Sequence, residues 1–239
     1  MRFGVGKVGR GLAVAALLTG VATGCGDAGQ SSDGSGATAG KTAEAGKTAG
    51  AGKTAGAGAT AEVAARGGSI GADGSACELP VTFDIAESWK AEAVDAAAAG
   101  DGTGDELAAE LADALLHQGP VTMACEVDAK PAGNIGFLRV WTGKPGDADA
   151  RAVLEDFVGA DSTASRPRYS TFEAGGLTGA EVRYVTTSKL LEETKEESAL
   201  AVTTPEGPVV LHLGGMDTEE HRAMLPAYDL AKSTLKATA

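Results

Sequence analysis

The chain has 239 residues, with 33 acids against 20 bases and a formal charge of -13. The charge is unevenly spread: residues 1–24 hold three bases and no acid, whereas 77–239 hold 13 bases against 28 acids. So acidic a body repels nucleic acid and anionic headgroups, which excludes an electrostatically driven nucleic-acid partner and favours solubility.

The first element is a leader. Arg2, Lys7 and Arg10 favour the cytoplasmic side of a membrane, and residues 11–23 (GLAVAALLTGVAT) form a short apolar helix-compatible run. Thirteen residues are too few to span about 30 Å of hydrocarbon as a permanent anchor. A removable signal over 1–24 is expected. Ala22-Thr23-Gly24-Cys25 resembles the bacterial lipobox, although Ala22 stands where Leu is commoner. The resemblance implies cleavage between Gly24 and Cys25 after the Cys25 thiol has received diacylglycerol. Two or more acyl chains, palmitate among them, then hold the product on the outer face of the cell membrane. The alternative is an ordinary secretory signal with an incidental cysteine.

Residues 25–76 read as a disordered tether rich in Gly, Ala, Thr and Lys. Between Gly26 and Ala76 there is no aromatic residue, and Val63 and Ile70 are the only branched aliphatics. Such a stretch cannot bury enough apolar surface to offset its backbone entropy. A six-residue unit repeats as AGKTAE, AGKTAG, AGKTAG and AGATAE from Ala39. Alanine alone does not fill the inside of a β-helical coil, so the period does not mark one. GKT is not a phosphate-binding loop either, because Ser35, Lys41 and Lys47 stand where that loop needs glycine. A Gly-rich coil of this length spans roughly 40 Å, which suits reach through a surrounding wall.

The remaining 77–239 are expected to form one globular domain with a substantial core. Val81–Ile85 reads as a strand, closely followed by Trp89. Thr103 and Glu106 fit a capping box, with Leu107, Leu111, Ala114 and Leu115 on one face of the helix that follows. Residues 122–128 and 134–142 read as strands joined by a turn containing Pro131 and Gly133. A second helix starts near Asp147, with Ala150, Val153, Leu154, Phe157 and Val158 inward. Strands follow at 177–188, 197–203 and 209–213, the last two joined by a turn at Thr204-Pro205-Glu206-Gly207. A closing helix is capped at Asp217, with Pro226 kinking or restarting it. Val209, Leu211 and Leu213 share one face of their strand and Val210 and His212 the other, so the sheet should be covered on both sides. The expected fold is α+β, a largely antiparallel β-sheet flanked by helices.

If Cys25 is consumed by lipid, Cys77 and Cys125 are left as an even pair in an oxidising compartment, and a disulfide between the domain's start and its sheet is expected. Two free buried thiols are the alternative. No CxxC or Cys/His cluster calls for a metal, and nothing calls for a cofactor.

Phe83 to Trp89, the long hairpins and the closing run LHLGGMDTEEHRAMLPAYDLAKSTL resemble actinobacterial lipoproteins of the LpqN type and, more remotely, PsbP-like domains. The resemblance covers most of 77–239, and the alanine-rich stretch 91–118 departs from it as an insertion. It implies an α/β/α sandwich and an accessory or partner-binding role. It implies no set of catalytic residues.

The candidates for chemistry are few. His212 alternates with buried aliphatics and reads as a satisfied sheet histidine, while His221, beside Glu219 and Glu220, reads as part of a solvated helix start. Ser233-Thr234-Leu235-Lys236 matches SxxK, but the SDN and KTG partners of penicillin-recognising enzymes are absent. Glu192, Glu193, Glu196 and Glu197 read as a solvated hairpin turn, with weak cation binding as the alternative. Trp89 and Trp141 read first as core anchors, although each is large enough to line a cleft; with His212 they are the candidate binding surface. The function expected is a non-enzymatic, membrane-anchored lipoprotein that binds a partner protein or an envelope component. A carrier for a small apolar or amphiphilic ligand is the alternative, and a hydrolase using His212 ranks third.

Overall fold

The computed structural model describes residues 63–96 and 106–238. The signal, Gly24, Cys25, the hexapeptide repeats and the Thr103 cap lie outside the described residues. The strands and helices are β1 (Arg66–Ile70), β2 (Val81–Ala86), β3 (Lys90–Ala93), α1 (Glu106–Leu116), β4 (His117–Gln118), β5 (Val121–Asp128), β6 (Gly136–Thr142), α2 (Ala150–Gly159), β7 (Ala164–Ala174), β8 (Leu177–Ser188), β9 (Glu193–Thr204), β10 (Gly207–Gly215), α3 (Thr218–Thr234) and β11 (Lys236–Ala237). A 3-10 turn, Lys130–Ala132, carries the chain from β5 to β6 and ends at Gly133 in the left-handed region.

The large sheet runs β3-β5-β6-β10-β9-β8-β7, with β4 beside β5, and every pairing in it is antiparallel. A second sheet, β1-β2-β11, is also antiparallel. The alternation expected along β10 holds. Val209, Leu211 and Leu213 pack with Met224, Tyr228 and Leu235 of the α3 segment and with Val81 and Phe83 of β2. Val210 packs on the opposite face with Trp141, Val182 and the α2 residues Val153, Leu154 and Phe157. The two cores make a three-layer α+β sandwich.

Strand β5 serves both cores. Val121 and Met123 face α2, whereas Cys125 and Val127 face α3, and the switch falls at a register shift between Met123 and Cys125. An extra residue in one strand turns the following side chains to the other face. That bulge aims Cys125 at Cys77: the two form a disulfide, with their Cα atoms 6.0 Å apart.

The structure corrects two expectations and sharpens two. Residues 63–76, assigned to the disordered tether, are ordered: β1 pairs with β2, and Ile70 is buried in the α3-side core. Backbone pairing, which apolar content does not register, organises this stretch. Helix α1 exists, but Leu107, Leu111 and Leu115 are exposed (71%, 58% and 61%), because the helix lies beyond the sheet edge next to β4. Helix α2, expected to start near Asp147, is capped at Asp149, whose carboxylate accepts from the Ala152 amide at 2.8 Å. Helix α3 runs through Pro226 without restarting, and it is capped at Asp217 as expected.

Strand β7 and the Gly175-Gly176 turn that joins it to β8 are further elements. Both glycines have positive φ (55° and 82°), the two-residue hairpin geometry whose twist matches the flanking strands.

Candidate functional site

Strands β7 and β8 reach past the part of the sheet that α3 covers, and a groove of about 480 Å³ opens between them and the first turns of that helix. Arg166, Arg168, Arg183, Ser198, His221 and Leu225 line it. Arg168 and Arg183 are register partners across the β7–β8 pair. Directly opposed residues have Cβ atoms about 5 Å apart, and like charges there destabilise the pair. Arg166 sits in the register shift between Ser165 and Arg168, at φ +54°. Holding a non-glycine residue there costs about 1–3 kcal/mol, a cost that concentrates at ligand-binding positions. Pro167 next to it is tolerated because β7 is an edge strand.

At the helix end of the groove Ser198 and His221 are both buried, with Ser198 Oγ 3.1 Å from His221 Nε2. His221 Nδ1 is buried without a hydrogen-bond partner. Burial pushes the imidazole below its ordinary range, against the raising effect of Glu197 and Glu196. The solvated helix start expected for His221 is therefore corrected: the cap at Asp217 starts α3 against the sheet and turns the ring inward. Serine and histidine at this spacing have the nucleophile–base relation. Ser198 is wholly shielded, however, and no carboxylate orients His221 through Nδ1. Arg222, one residue on, grips Glu196 with two hydrogen bonds of 2.7 and 3.0 Å. Those bonds hold the Glu196 carboxyl below the usual range.

Glu197 points to the other side of β9. Lys195 Nζ lies 2.8 Å from its Oε1 and His212 Nε2 lies 3.0 Å from its Oε2. Burial alone would raise this carboxyl, but His212 and Lys195 prevail and keep it below its ordinary range. Tyr184 Oη is 3.2 Å from the same His212 nitrogen, and burial followed by the Glu197 charge pushes its hydroxyl well above its ordinary value. The acidic run is thus split: Glu193 is exposed near the hairpin tip, whereas Glu197 is a buried, fully engaged anion.

The expected binding surface of Trp89, Trp141 and His212 does not assemble. Trp89 is buried in the α3-side core, beside a cleft of about 240 Å³ that includes Ala64 and Pro226. Trp141 is buried on the α2 side, edge-on to Phe157 with centroids 5.6 Å apart. His212 lies 5.6 Å from the same Phe157 ring. Trp89 lies in the turn between β2 and β3, on the α3 side, and Trp141 projects from β6 to the α2 side, and neither lines the arginine groove. Sequence reasoning passed over the arginines because β7 has no apolar alternation to mark it as a strand. Among the described residues no His, Cys, Asp and Glu cluster could hold a metal ion, and no helix is long and apolar enough to cross a membrane.

Comparison with protein families places residues 39–235 in the family described as uncharacterised lipoprotein. The chain belongs to that lipoprotein family. Membership implies an extracytoplasmic lipoprotein associated with a membrane. Among solved structures, the solution structure of cyanobacterial PsbP (CyanoP) from Synechocystis sp. PCC 6803 is similar to this lipoprotein over 66% of this chain and 86% of that one, at 10% identity and a TM-score of 0.43. No curated protein matches the lipoprotein.

Proposed function

We propose that this lipoprotein is a non-enzymatic binding module, held at the outer face of the cell membrane by lipid on Cys25 after cleavage at Gly24, and that its domain engages an envelope component or partner protein. The observation that carries this reading is the groove edged by Arg166, Arg168 and Arg183 in a domain otherwise dominated by acids. An open cleft lined by a few convergent polar groups and unpaired charges is where recognition concentrates. The shielding of Ser198 and the unpartnered Nδ1 of His221 favour binding over acyl transfer. The LpqN-type resemblance belongs to the same reading.

The carrier alternative has less support at the tryptophans. The cleft beside Trp89 is about 240 Å³, below the roughly 300–1,000 Å³ of most small-molecule sites. The test is recovery of the full chain from solubilised envelope. Repeated co-purification of one specific lipid, glycan or protein is expected, and repeated recovery of the chain alone would overturn the reading.

A further inference from the structure

The charges around the groove are matched unevenly. Glu181 is held by Lys232 at 3.1 Å, Glu196 by the Arg222 fork, and Glu197 by Lys195 and His212. The two acids that line the groove, Glu196 and Glu197, thus each have a cation. Among the described residues the side chains of Arg166, Arg168 and Arg183 have neither a hydrogen bond nor an ion pair, and two of them oppose each other across adjacent strands. Such an arrangement is relieved when an anion lies between the guanidinium groups. A second observation is independent of the arginines: His221, 2% exposed and on the wall of the same groove, keeps Nδ1 without a partner.

We infer that this groove is the binding site for a small oxyanion, a phosphate or carboxylate group, clamped by Arg168 and Arg183 with Arg166 beside them, next to the buried Ser198–His221 pair. The inference rests on the binding-module reading and names its ligand chemistry. Guanidinium forks match the paired oxygens of both groups. The acidic domain opposes polyanions and densely anionic surfaces at long range, so the oxyanion belongs to a small solute or to one end of a largely neutral molecule. A volume of about 480 Å³ exceeds what a bare phosphate fills, and Leu225 offers the rest of such a molecule an apolar contact.

The test is calorimetric titration of the full-length protein in zwitterionic detergent micelles with inorganic phosphate, glycerol phosphate and acetate. A second arm uses phosphatidylcholine micelles with and without phosphatidic acid. Saturable binding of a soluble anion is expected, weakened on the order of tenfold in each of Arg168→Gln and Arg183→Gln. Thermal midpoints of these variants without ligand should equal or exceed the wild type, which separates lost binding from lost folding. A signal confined to phosphatidic acid and lost in the same variants assigns the oxyanion to a lipid headgroup. Absence of anion-dependent signal in both arms, or equal affinity in wild type and variants, overturns the inference while leaving the co-purification result to judge the binding-module reading.

Discussion

Replacing Cys77 and Cys125 together by alanine removes a cross-link between residues 48 apart in sequence. Loop-closure entropy for a ring of that size is about 14 cal/mol/K, or about 4 kcal/mol at 25 °C. Both sulfurs lie in the α3-side core, so water does not take up the freed groups. In a domain of this size each kcal/mol moves the thermal midpoint by about 2–4 °C, which gives a drop of roughly 8–16 °C. Circular dichroism melts of the oxidised protein, the reduced protein and the double variant would measure it. The two perturbations share the lost cross-link and differ in side-chain volume, so agreement between them isolates the constraint. Midpoints within about 2 °C of each other in all three samples would refute the reasoning.

Three further outcomes follow from the geometry. Glu197→Ala, which strands Lys195 and His212, is expected to cost about 3–5 kcal/mol in urea unfolding, with Glu197→Gln costing less. Stability should fall with acid in two stages. His221 is depressed in the folded state, so its contribution is present above the ordinary imidazole value of 6.5 and is lost as pH falls through the folded-state value; Glu197, also depressed, adds a loss below the ordinary carboxylate value of 4.5. Urea midpoints measured across pH would show both stages, and His221→Gln should flatten the upper one. Phe157→Ala, at the meeting point of Trp141 and His212, is expected to cost about 3–5 kcal/mol, whereas Leu111→Gln and Leu115→Gln should stay within about 0.5 kcal/mol.

The two sheet faces were legible because β10 alternates cleanly, and the inward face of α2 was legible because Ala150, Val153, Leu154, Phe157 and Val158 follow helical spacing. The same periodicity misled at α1, where Leu107, Leu111 and Leu115 have the right spacing yet are exposed. Strand β1 was illegible for a different reason: Arg66-Gly67-Gly68-Ser69 offers almost nothing to bury and is ordered by pairing with β2. Strand β7 has no apolar alternation, so its arginines carried no sign of sharing a face, although Gly175-Gly176 between two runs was a hairpin signal that could have revealed it. The Ser198–His221 contact joins residues 23 apart and depends on how α3 lies across β9. Spacing along the chain does not encode that.

The central claim is that a lipid on Cys25 holds an acidic binding domain outside the cell. Mass spectrometry of the mature amino-terminal peptide tests it most directly. The expected result is a chain that starts at Cys25 and carries the mass of a diacylglyceryl group with or without a further acyl chain. An unacylated chain released into the medium, or one that still bears residues 1–24, would contradict it.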